Sequence, residues 1–161
     1  MDEINGLPAH VLLVHFVVVL VPLTAVLEIV CALWPAARRG ALLWLTLILA
    51  AITMALTPIT IDAGEWLYDL RKNPSPTLRE HADRGGTMLY FAIALLVVAV
   101  LLTALRLAEQ RRPNPATLAR VAVAILAVVV GIASIIQIYR VGDAGAHSVW
   151  GNEITHLRKS G

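Results

Sequence analysis

Five histidines and a few carboxylates carry most of the chemistry this 161-residue sequence could perform. Neutral imidazole is a common ligand of metal ions and of haem iron, and a nearby carboxylate can orient it by accepting its second ring proton. His10 and His15 are five residues apart, so on one helix they point about 140° away from each other and are expected to have different roles. His81 stands four residues before Gly85, and a missing side chain one turn on would let a flat macrocycle, or equally another helix backbone, come close. Asp62, Glu65 and Asp83 are the carboxylates nearest these histidines in the expected topology, which makes His10, His81, Asp62 and Glu65 the candidate set for a metal ion. His147 and His156 fall in a Gly-rich stretch and read first as solvated. The single cysteine, Cys31, excludes disulfide frameworks and cysteine-based zinc sites. No His-Glu-x-x-His pair, Gly-x-Ser-x-Gly elbow or phosphate-cradling loop occurs, so hydrolytic and nucleotide chemistry find no support.

The elements that must position these groups follow from composition. Hydrophobic residues make up 58% of the chain and charged residues 15%, with a mean hydropathy of +0.76. Soluble domains run at roughly 45–50% and 25%, so a soluble fold is excluded. The formal charge of +2 is a small imbalance and gives no nucleic-acid-binding surface. A bilayer core needs about 20 mostly apolar residues per helix, and four stretches supply them, with helices expected over about 9–34, 41–61, 78–107 and 118–140. Short connections between them predict an all-α membrane protein, an up-down bundle of four transmembrane helices forming a single domain over 1–161, with the lipid bilayer as its surroundings. The first apolar run is too long for a signal-peptide core and has no basic residue before it, so it is expected to be retained. No internal repeat is apparent.

Orientation rests on arginine. Arg38 and Arg39 lie between helices one and two, and Arg106, Arg111, Arg112 and Arg120 surround the loop between three and four, against the single acid Glu109. The opposite side holds nine of the acidic residues. The positive-inside rule then places both termini and all five histidines outside the cytoplasm. Trp34 and Trp44 would mark the inner interface, and Trp66, Tyr68, Tyr90 and Tyr139 the outer one. After Asp62 the chain could lie on the membrane as a short amphipathic helix, until Asn73-Pro74-Ser75-Pro76 breaks it. Thr77 and Glu80 have capping-box spacing, which starts helix three near Leu78.

Polar groups inside the spans are costly and tend to face the bundle interior. Thr46, Thr53, Thr57 and Thr60 form one stripe and read as interhelical glue. Ala51 with Ala55, Ala127 with Gly131, and the Gly131, Ser134, Gln137 stripe read as close-packing surfaces. Glu28 shares a broad face with Thr24 and Cys31; it would either snorkel toward Arg38 or Arg39 or handle a proton.

Gly6-Leu7-Pro8-Ala9-His10-Val11-Leu12-Leu13-Val14-His15-Phe16, followed by Pro22, resembles the opening of a widespread bacterial family of four-helix membrane proteins known as a domain of unknown function. Asp62-Ala63-Gly64, His81 and the stretch Tyr139 to Ala146 fit the same pattern, which spans nearly the whole chain. Where such proteins often have proline after the first histidine and after His-Phe, this chain has Val11 and Val17. The resemblance implies a multi-pass protein of the bacterial cytoplasmic membrane with histidines at one end of the bundle, similar to small b-type cytochromes. Some relatives stand beside cytochrome c domains.

Three functions are compatible with these residues. One is a b-type haem protein for electron transfer, with His10 or His15 and His81 as axial ligands, Gly85 beside them, and a cytochrome c or quinone as redox partner. In the second, zinc or copper binds His10, His81, Asp62 and Glu65. The third is a cofactor-free accessory or scaffold subunit, as a homo-oligomer or within a larger membrane complex. None of the three requires an enzymatic activity.

Overall fold

The computed structural model describes residues 3–4, 7–111 and 117–159, with side chains over 8–111 and 117–151. A two-residue antiparallel pair, β1 (Glu3–Ile4) with β2 (Leu7–Pro8), precedes the helices. Then follow α1 (Ala9–Leu33), the short α2 (Pro35–Arg39), α3 (Ala41–Asp69), α4 (Pro76–Gly86), α5 (Met88–Arg111) and α6 (Thr117–Lys159). Four segments among the described residues are long and apolar enough to cross a membrane, with α4 and α5 together making the third. Around the bundle the order is α1, α3, α5, α6, with α6 closing back onto α1. This is the up-down arrangement that short connections imply.

Local chemistry sets the breaks. Trp34 precedes Pro35 and takes an extended conformation, which ends α1, since a residue before proline is pushed out of the α region. Pro35 then occupies the first turn of α2, where its missing N–H costs nothing. At α4 the cap is Ser75, whose hydroxyl oxygen accepts from the Leu78 N–H at 3.2 Å. The expected start near Leu78 is therefore two to three residues late: Pro76, preset at φ near that of a helix, lets Ser75 cap ahead of the Thr77 box.

Two helices run further than composition suggests. Instead of turning onto the membrane at Asp62, α3 continues to Asp69; its 29 residues span about 43 Å at 1.5 Å each. The Gly-rich stretch after Tyr139 does not leave the helix either, and α6 runs 43 residues to Lys159. Val141 and Ala144 are buried against the rest of the bundle, and this tertiary support outweighs the weak helix propensity of glycine.

Gly85 and Gly86 end α4, and Thr87 alone separates it from α5. Glycine loses the most backbone freedom in a helix, so two in succession make a natural break. The Arg84 carbonyl left at the break accepts from the Thr87 hydroxyl at 2.7 Å and the Gln137 side-chain amide at 3.3 Å, while Gln137 also donates to Thr87 Oγ1 at 2.8 Å. Gln137 on α6 thus fixes the angle at which α4, carrying His81, leaves the bundle.

The interior holds two apolar clusters. Val17, Val21, Ala25, Met88, Leu95, Ile138 and Val141 fill the half nearer the histidines, and Cys31, Leu43, Val98, Leu102 and Ala127 the half nearer the arginines. The threonine stripe of α3 does face inward, but each hydroxyl donates to a carbonyl four residues back in its own helix, at 2.7–2.8 Å. Between helices, among the described residues, the stripe makes only Thr24 Oγ1 to Thr53 Oγ1 at 3.4 Å and Cys31 Sγ to Thr46 Oγ1 at 3.7 Å. The hydroxyls are mainly satisfied within the helix and act less as glue than their spacing suggests. Ala127 and Gly131 do form a close-packing surface: a methyl group at Gly131 would lie 2.8 Å from Ile29 Cδ1 and 3.4 Å from the Ala25 carbonyl oxygen. Ala51 and Ala55, by contrast, are exposed on the outer face of α3. Trp34, Trp44, Tyr90 and Tyr139 are all more than half exposed, as aromatic residues at membrane interfaces are.

Candidate functional site

At the end of the bundle where α1 begins, His10 and His81 meet. Their ring centres are 6.1 Å apart and their planes cross at 78°. Each ring is fixed by a main-chain carbonyl of the helix beside it: His10 Nδ1 donates to Thr60 O at 2.9 Å and His81 Nδ1 to Val141 O at 3.0 Å. Donation from Nδ1 fixes the tautomer and leaves Nε2 with a free lone pair, the state in which histidine binds a metal. No hydrogen bond engages either Nε2 among the described residues.

Two glycines make these positions accessible. A Cβ at Gly64 would fall 2.8 Å from His10 Nδ1 and 2.9 Å from its Cε1, closer than real Cβ atoms come. At Gly145 it would fall 3.0 Å from His81 Cε1 and 3.1 Å from its Nδ1. Each imidazole therefore packs against a helix at a residue without a side chain.

The two halves use the same device. In each, a histidine near the start of the first helical segment of a helical hairpin donates to a carbonyl four residues before a glycine on the second helix. That glycine ends the same triplet both times, Asp62-Ala63-Gly64 and Asp143-Ala144-Gly145. Where the sequence shows no repeat, the structure reveals a local one, with His10 and His81 as equivalent residues facing each other across the bundle. Three residues are too few to stand out in the sequence. The supporting roles of Thr60 and Val141 escape sequence reasoning because a carbonyl oxygen leaves no trace in residue type.

The remaining candidates lie apart. His15 is exposed, and its Nδ1 turns back to the Val11 carbonyl of its own helix. His147 is exposed and bonds the Asp143 carbonyl one turn earlier. The side chain of His156 lies outside the described residues. Asp62 and Glu65 are exposed and bond to neither ring, so the orienting role expected of carboxylates is filled by the Thr60 and Val141 carbonyls. Asp83 is exposed as well. A Cβ at Gly85 or Gly86 would meet nothing within 4 Å, so neither glycine makes room for another helix. Gly85 instead leaves open space one turn beyond His81. Among the described residues no group of three or more His, Cys, Asp or Glu gathers to hold a metal ion.

The opposite end of the bundle carries an ion-pair network. Arg38 Nη2 lies 2.7 Å from Glu109 Oε1, Arg120 Nε lies 3.1 Å from the same oxygen, and Arg38 Nη1 donates to the carbonyls of Cys31 and Ala32. Arg38 so caps the last carbonyls of α1, a favourable place for a cation, and ties α2 to α5. Glu28 receives no such partner. It is fully buried, with neither carboxyl oxygen hydrogen-bonded, so the expected snorkelling toward Arg38 or Arg39 does not occur.

No curated protein and no solved structure matches the chain. Residues 6–158, which include both histidines and both Asp-Ala-Gly triplets, match the family described as "Predicted membrane protein (DUF2231)", and the chain belongs to that family.

Proposed function

We propose that the histidine end of the bundle binds one b-type haem between His10 and His81 and passes electrons at the membrane surface. The observation that carries this reading is the pair itself: two imidazoles with Nδ1 engaged, Nε2 free and ring centres 6.1 Å apart. A metal sits about 2 Å from a ligating imidazole nitrogen, so two imidazoles on opposite sides of one metal have ring centres about 6 Å apart. The number of donors also favours haem. Zinc sites draw three or four protein ligands, whereas haem brings its own equatorial nitrogens and asks the protein for two axial ones. His10 and His81 offer two, and Gly85 leaves space beside them.

Haem would supply a one-electron couple. The chain's own part is to hold both imidazoles in one tautomer, with the Thr60 and Val141 carbonyls raising their basicity. A cytochrome c domain or a membrane quinone is the class of partner such a surface site serves. The test is the absorption spectrum of protein purified from haem-replete cells in mild detergent. A Soret band with a sharp reduced α-band supports the reading. A colourless protein that stays so after haem is supplied overturns it, and metal analysis of that sample then decides between zinc or copper and a cofactor-free accessory subunit.

The proposal extends to orientation in the bacterial cytoplasmic membrane: the histidine end faces outward and the Arg38 end inward. With cysteines introduced by Ser75→Cys and Asn114→Cys, an impermeant thiol reagent on intact cells should label position 75. Preferential labelling at position 114 would reverse the topology.

A further inference from the structure

Glu28 is a costly residue that the histidine pair does not use. Its side chain is fully buried in the bundle and both oxygens lack a partner. Among the described residues the groups around α1 offer it no counter-ion. Arg38 of α2 is committed to Glu109 and to two carbonyls. The buried polar residues of α3 are Thr46, Thr53, Thr57 and Thr60, α5 buries only apolar side chains from Met88 to Leu105, and α6 buries Ser134, whose hydroxyl is also unpartnered. Cys31, three residues on, is the nearest other titratable group on that face of α1, with His10 five turns away toward the histidine end. A carboxyl group so placed avoids the cost of an unpaired buried charge by keeping its proton.

Polar contacts flank it on both sides. One turn toward the histidines is the Thr24–Thr53 hydroxyl pair; one turn toward the arginines is the Cys31–Thr46 contact. Beyond Cys31, whose carbonyl accepts from Arg38 at 2.9 Å, lies Glu109, with Oε2 unpartnered. The Cys31–Thr46 contact thus stands between Glu28 and the arginine end, beside the apolar cluster of which Cys31 is a member. Such buried ionisable residues in membrane helices mark proton relays.

We propose that Glu28 is a proton-binding site, held as the neutral acid and exchanging its proton with water at the arginine end past Cys31 and Thr46. On release the O–H bond breaks, the proton passes to that water, and a carboxylate remains; no oxidant or reductant takes part. The proposal is independent of any haem.

Infrared spectroscopy of the full-length protein in lipid nanodiscs tests it. At neutral pH a carbonyl band of a protonated carboxyl should be present and should be lost in Glu28→Gln, which keeps the size of the side chain. In D2O the band should shift without unfolding, and Cys31→Ala with Thr46→Val should slow the shift. A lipophilic carbodiimide, which reacts with protonated acids in apolar surroundings, should label wild-type Glu28, as read by mass spectrometry; this arm stands even if a variant fails to fold. Absence of both band and label, as for an ionised group holding a cation, overturns the proposal. So does a band unmoved by D2O until the protein unfolds, or an exchange rate unchanged in the double variant.

Discussion

Arg38→Ala is expected to destabilise the bundle by about 3–5 kcal/mol, the usual cost of removing one partner from a buried ion pair. The side chains of Arg38 and Glu109 are only 3% and 7% exposed, so removal leaves a carboxylate with little water to turn to. Arg120 is 38% exposed and compensates in part, because a half-solvated cation gains little from pairing. The same change uncaps the carbonyls of Cys31 and Ala32 at the end of α1. Thermal unfolding in detergent, followed by circular dichroism, measures the effect. Arg38→Met combined with Glu109→Leu should recover much of the loss, since an apolar pair of similar volume avoids the desolvation cost. A change below about 1 kcal/mol in the single variant would mean that the network behaves as a surface salt bridge.

The second large effect concerns the histidines. His10→Ala and His81→Ala are each expected to abolish the low-spin haem spectrum while leaving helical content intact, because each removes one of the two imidazoles that face each other. His15→Ala should leave the spectrum unchanged, since His15 is turned onto its own helix on the exposed face. Gly64→Ala separates positioning from ligation: its Cβ would sit 2.8 Å from His10 Nδ1, displacing the ring from the Thr60 carbonyl. Haem affinity should then fall by about 10–100-fold, as it does when a ligand loses its supporting hydrogen bond. Full loss in His15→Ala with retention in His10→Ala would reassign the ligand on α1.

The spans were readable because about 20 apolar residues in sequence can do little else than cross a bilayer. Their ends were not. Asp62 to Asp69 and Tyr139 to Lys159 look like membrane-surface and loop segments, yet helix α6 is held beyond the core by Val141, Ala144 and the seating of His81 on Gly145. His10 and His81 stand out by residue type. What excludes His15 is the direction in which helix α1 presents it, a tertiary fact. The Thr60 and Val141 carbonyls support the rings, and a sequence displays acids but not carbonyl oxygens. Spacing alone offers Glu28 either a nearby arginine, Arg38 or Arg39, or a proton; Arg38 instead finds Glu109, 71 residues away, at 2.7 Å. Proximity along the chain is a poor guide once four helices meet at one end.

The central claim is that His10 and His81 share one iron. Titrating haem into the cofactor-free protein in lipid nanodiscs, and following the Soret band, tests it most directly. The account predicts saturation at one haem per chain, with a six-coordinate low-spin spectrum in both oxidised and reduced states. Binding that never saturates, or a high-spin product, would contradict it.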